Sequence, residues 1–187
     1  MSSLNNVTTN VLRIINKHRS SLLQVVYLHP EKNVLRTHKG ILKNLSESTI
    51  QLSAEGTPTG YMNLKFVENG KKKIYAIYNK NFSELLSLRN VETLNKKLRD
   101  SENQKFIISK IKPQLGKEVS IVFKKMDIVQ VSTGQFADMG ISDISIKPAP
   151  FYNTTERLAY NSILNIYDNI GFDLLELPRK PKENKEE

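Results

Sequence analysis

The sequence contains no cysteine and no tryptophan in 187 residues. Without thiols there is no disulfide, no thiolate metal site and no thiol redox centre. The eight glycines are scattered, so neither a Walker loop nor a dinucleotide-binding loop can form. HExxH and GxSxG are missing, and Asp138, Asp143, Asp168 and Asp173 find no counterpart in the other half of the chain that argues for a site. A non-enzymatic protein without a cofactor or metal is therefore expected. No apolar run approaches the roughly 20 residues of a membrane span, and no leader pattern is visible, which gives a soluble, cytoplasmic expectation. The tripeptide Asn153-Thr154-Thr155 fits a glycosylation pattern that stays idle without secretion.

What the sequence does have is an internal repeat. Ile74, Ile77, Tyr78, Leu85, Leu86 and Leu88 recur at one offset as Ile163, Ile166, Tyr167, Leu174, Leu175 and Leu177. A second block aligns 25–52 with 119–146 without a gap: apolar positions face apolar positions, and Gly40 and Ser48 face Gly134 and Ser142. The offset differs by five residues between the blocks, so the first copy carries extra length within 53–73 relative to 147–162. Such insertions belong in loops, where added length costs little.

Each copy begins with helical spacing. Leu4, Val7, Val11, Ile14 and Ile15 share one face in the first copy, as do Phe106, Ile107 and Ile111 in the second. Ser101 and Gln104 read as a capping box and Pro113 as the stop. A short helix over 91–99, capped by Asn90, is expected between the copies. Strands are predicted over 22–28, 34–42, 49–53, 61–67 and 72–78, with Asn69-Gly70 as a tight hairpin turn. Five short strands per copy can close into a small barrel, which removes the exposed edges.

Charge is divided unequally. Residues 1–90 hold 13 Lys and Arg against 5 acids, a net +8, whereas residues 101–187 balance 12 against 12. This asymmetry suggests that the first copy faces a polyanion. The candidate phosphate contacts are Arg36, Lys39, Lys43, Lys71, Lys72, Lys73 and Lys80, with Tyr75 as a stacking face. Arg13, Lys17 and Arg19, on or after the first helix, could extend the patch. Tyr78 belongs to the repeated core line; His38 could titrate or contact phosphate, but a lone strand histidine is more often plain surface or a satisfied hydrogen bonder.

A helix followed by a compact run of strands, with Gly40 and Gly134 in a bent second strand, resembles the Sm-like family and, more broadly, SH3-like barrels. Gly40, Leu42 and Leu45 match the family's first motif, as do Gly134, Phe136 and Met139. The base-binding positions depart from it: Ser46 and Ile50 replace the aspartate and asparagine, and Asn79-Lys80 and Asp168-Asn169 stand in the turn before the last strand. The resemblance implies tandem small β-barrels, RNA binding and ring-like assembly. The expected fold is thus mainly β with short helices. The expected organisation is 1–90 as a helix plus a basic first barrel, 91–100 as a helical linker, 101–177 as a helix plus a neutral second barrel, and 178–187 as a disordered tail. The expected partner is nucleic acid, RNA or single-stranded; the alternative is a protein partner or homo-oligomer formed by edge-strand pairing.

Overall fold

A computed structural model describes residues 9–54, 59–86 and 101–175. The linker helix over 91–99, the tail over 178–187, Leu4, Val7, Leu88 and Leu177 lie outside the described residues, as does the side chain of Ser101. The first copy comprises α1 (Thr9–Asn16), β1 (Leu22–Leu28), β2 (Leu35–Leu45), β3 (Thr49–Ser53), β4 (Tyr61–Lys65), β5 (Val67–Glu68), β6 (Lys71–Lys72) and β7 (Ile74–Asn79). The second comprises α2 (Ser101–Ile111), a 3₁₀ turn (Lys112–Gln114), β8 (Glu118–Lys125), β9 (Ile128–Met139), β10 (Asp143–Pro148), β11 (Glu156–Ala159), a further 3₁₀ turn (Tyr160–Ser162) and β12 (Ile163–Asp168).

The chain is mainly β, and the repeat is a repeat of topology. The sheets run β4-β3-β2-β1-β7 and β11-β10-β9-β8-β12, all neighbours antiparallel. Both are open: no pairing joins their outer strands among the described residues. Each has its own core on one face. Val11 and Ile15 of α1 pack with Leu23, Val25, Leu42, Ile50 and Ile77; Ile107 and Ile111 of α2 pack with Val119, Ile121, Phe136, Ile144 and Ile166.

The two glycines of the long second strands have a steric cause. A Cβ on Gly40 would run into the Ser53 carbonyl, and one on Gly134 into the Lys147 carbonyl. Only a residue without a side chain lets the strands approach this closely. His38 spans the same crossing, its Nε2 donating to the Ser53 carbonyl at 2.9 Å. It is a structural hydrogen bonder.

The structure corrects the ungapped alignment. Leu23 pairs with Gly40 and Val119 with Gly134, so Leu23 corresponds to Val119 and Val25 to Ile121, a slip of two. The difference sits in the β1–β2 connection. Six residues, 29–34, lie between the paired Leu28 and Leu35, but four, 125–128, lie between the paired Lys124 and Val129. The longer insertion is located just as sharply. Phe66 and Tyr160 are equivalent, since their N–H groups donate to the carbonyls of Ser48 and Ser142. Seven residues, 67–73, separate Phe66 from Ile74, whereas two, 161–162, separate Tyr160 from Ile163. The five extra residues form the β5–β6 hairpin, turning at Asn69 (φ 51°) and Gly70 (φ 71°), which suits the twist of a two-residue hairpin loop.

A third core lies between the copies. Val26, Ala76, Tyr78 and Phe82 of the first meet Val122, Val129 and Tyr167 of the second. This explains why β1 and β8 read as nearly continuous apolar runs: one face packs on its own core and the other on the neighbouring copy. Polar groups pair across the seam, although the buried Asn165 Oδ1 meets no partner among the described residues. The Gln24 carboxamide oxygen accepts from the Val129 N–H at 2.7 Å, and Asn165 Nδ2 donates to the Tyr78 hydroxyl at 2.8 Å. Tyr78 and Tyr167 are core residues, but of the shared core.

Candidate functional site

Both length differences of the first copy converge on one groove. The longer β1–β2 connection brings Asn33 and Val34 to it, and the hairpin brings Lys71 and Lys72. The opposite wall comes from the second copy: Ser120 and Thr133 on its sheet, and the Asp168–Gly171 turn. This lobe encloses about 550 Å³. A second lobe of about 520 Å³, lined by Arg36, Thr37, Gln130 and Ala149, shares Val34, Leu35, Glu118 and Thr133 with the first. The two therefore form one groove along the junction between the copies.

The Asp168–Gly171 turn is rigid for reasons repeated in the other copy. The Asp168 carboxylate accepts from the N–H groups of Ile170 at 3.0 Å and Phe172 at 2.8 Å. Asn79 does the same for Asn81 at 2.9 Å and Ser83 at 3.0 Å. Next along, Glu84 accepts from the Leu86 N–H and Asp173 from the Leu175 N–H, each at 2.9 Å. Asp173 thus has Glu84 as a repeated acidic counterpart, and the shared task of the pair is to hold a turn. The copies diverge at the turn's left-handed residue. Phe82 (φ 60°) fills the shared core beneath the Lys124 ammonium, 4.3 Å from its ring centroid. Gly171 (φ 83°) lies where a Cβ would strike the Tyr75 ring.

Tyr75 forms the floor where the hairpin meets the second copy. Its ring is met edge-on by Tyr167, with centroids 5.2 Å apart at 86°. Its carbonyl accepts from the Tyr167 hydroxyl at 3.2 Å, and the Lys72 ammonium lies 5.0 Å from its centroid. Burial, and secondarily the Asp168 carboxylate, hold the Tyr75 phenol above its usual range.

The candidate residues separate into two groups. Arg36, Lys71, Lys72 and Tyr75 line the groove. Lys73 turns to the other side of the hairpin, its ammonium 3.7 Å from the Glu68 carboxylate. Hydrogen bonding from Lys65 at 2.7 Å holds Glu68 below the usual carboxylate range. Lys39 lies opposite Gln24, on the junction face of β2, but lines neither lobe, Lys43 projects at the irregularity between Leu42 and Asn44, and Lys80 is exposed in the Asn79–Phe82 turn. Arg13 and Arg19 flank a separate notch beside α1. The groove also contains residues that charge counting passed over: Glu118 at the junction of the lobes, and Asp168 and Asn169 in the turn. For Asp168 and Asn169 the signal was the repeated Asx turn, whereas Glu118 left none. Among the described residues no group of three acidic or histidine side chains could hold a metal ion, and no helix is long and apolar enough to cross a membrane.

No family model, no curated protein and no solved structure matches the chain.

Proposed function

We propose that the protein is a non-enzymatic binder of RNA or other single-stranded nucleic acid. In this reading it is built from two small SH3-like or Sm-like barrels and receives the phosphate backbone at the groove between them. One observation carries the reading: the two segments by which the basic copy exceeds the neutral one both reach this groove, and the longer delivers Lys71 and Lys72 to it. Loops on a rigid scaffold are where binding groups concentrate, and adjacent cations gain affinity by releasing condensed counterions.

The test is a salt series on the full chain with labelled oligouridylate and oligodeoxythymidylate. Lys71→Ala with Lys72→Ala should weaken binding and reduce the log–log salt slope by about 0.7 per lost phosphate contact. Arg13→Ala with Arg19→Ala, at the separate notch beside α1, should change it less. Equal effects would mean diffuse charge rather than a groove, and an absence of salt-dependent binding at low ionic strength would end the proposal.

The second reading, assembly through edge strands, draws on β4 and β11, whose outer edges pair with no strand among the described residues. Light scattering that gave a monomer at high micromolar concentration would remove it.

A further inference from the structure

We infer that a single strand is held by both copies at once, its phosphates on Lys71 and Lys72 of the first and its bases stacked on Phe172 and Tyr152 of the second. This rests on the nucleic-acid reading above. The surfaces of the two copies are complementary in kind. The first carries the positive charge, while eight of the eleven exposed large apolar side chains among the described residues belong to the second.

Two of those eight are aromatic rings next to residues that line the groove. Phe172 is 57% exposed and directly follows Gly171 of the groove wall, its N–H fixed on Asp168 at 2.8 Å. Ile170, which lines the first lobe, is 82% exposed. The equivalent residues of the first copy are Ser83 and Asn81, so the same turn is polar there. Tyr152 is 46% exposed, and its hydroxyl donates to Glu118, the residue common to both lobes, at 3.5 Å.

The tyrosines on the groove floor are poorly suited to stacking. Tyr167 is 1% exposed, and Tyr75 already meets Lys72 and the Tyr167 ring. Phe172 and Tyr152 present exposed rings instead. Exposed aromatic faces beside cations suit unpaired bases, which present a π-face that duplex pairing hides.

The absence of tryptophan makes the test direct, because Phe172→Trp and Tyr152→Trp each create a sole indole. Oligouridylate or oligodeoxythymidylate should quench both indoles, and the ratio of the two strands assigns RNA or DNA as the preferred source. Inorganic polyphosphate and duplex RNA should compete for the lysines without quenching. Tyr61→Trp, on β4 and away from either lobe, should stay unquenched. Phe172→Ala should cost about tenfold in oligonucleotide affinity and leave polyphosphate binding unchanged. Salt-dependent binding with no quenching at positions 172 and 152 overturns this inference and leaves the proposed function standing. Binding of none of these polyanions overturns both.

Discussion

Asn165 of the second copy donates its amide to the Tyr78 hydroxyl of the first at 2.8 Å, inside a core that neither copy could close alone. Position 165 corresponds to Ala76 in the first copy, since Val26 pairs with Ala76 as Val122 pairs with Asn165. The polar pair is therefore a specific addition to the junction. Removing the Tyr78 hydroxyl strands the buried Asn165 amide, which costs more than removing both groups. Tyr78→Phe should destabilise the full chain by about 1–3 kcal/mol. Tyr78→Phe combined with Asn165→Ala should cost less than the sum of the single changes. Urea denaturation of the four proteins measures this; strict additivity would mean the bond does not couple the copies.

The close crossings at Gly40 and Gly134 predict a contrast among glycines. A methyl at either would meet a backbone carbonyl, which has little freedom to retreat. Gly40→Ala and Gly134→Ala should each cost about 1–3 kcal/mol. Gly140→Ala should be near neutral, since its Cβ would meet the Asp143 side chain at 2.9 Å, an end that can swing aside. Thermal unfolding of the three variants checks the order, and a Gly134→Ala as stable as Gly140→Ala would contradict the crossing.

These glycines were legible in the sequence because strand bending leaves a residue-type signature. So were β1, β3 and the Asn69-Gly70 turn, where period and turn chemistry agree. The slip of two between the β1 alignments was not legible. Side chains alternate with a period of two, so a two-residue shift keeps every residue on its own face, and β1 and β8 are apolar on both faces because of the shared core. How the copies dock left no period at all, so the groove, Glu118 and the second-copy aromatics emerged only from the structure.

Two phenols set an alkaline limit on stability. Burial raises Tyr75 above its ordinary 10.0, with Asp168 adding to it. Burial likewise raises Tyr160, with Asp143 and then Asp138 adding to it, and the Tyr160 hydroxyl donates to the Gly140 carbonyl at 3.1 Å. Above about pH 10 the unfolded chain releases these protons while the folded chain retains them. The folded state then binds more protons, so stability falls with rising pH. Their contribution is fully present below pH 10 and is lost as pH rises through the folded values. Urea midpoints from pH 7 to 11 should decline above 10, and Tyr75→Phe with Tyr160→Phe should flatten the decline. An unchanged slope in the double variant would remove these phenols as its cause.

Glu118 gives the most direct check on the path of a bound strand. Its carboxylate stands where the two lobes of the groove join, so a phosphate backbone threading the groove must pass a like charge. Asp168 spends its carboxylate on turn N–H groups, whereas Glu118 meets only the Tyr152 hydroxyl at a long 3.5 Å among its side-chain hydrogen bonds to described residues. Glu118→Gln keeps an acceptor for Tyr152 and removes the charge. It should therefore strengthen oligonucleotide binding by about two- to tenfold at low salt, an advantage that shrinks as the Debye length falls below about 10 Å. Weaker or unchanged binding, with the fold intact by circular dichroism, would place the strand elsewhere on the basic copy.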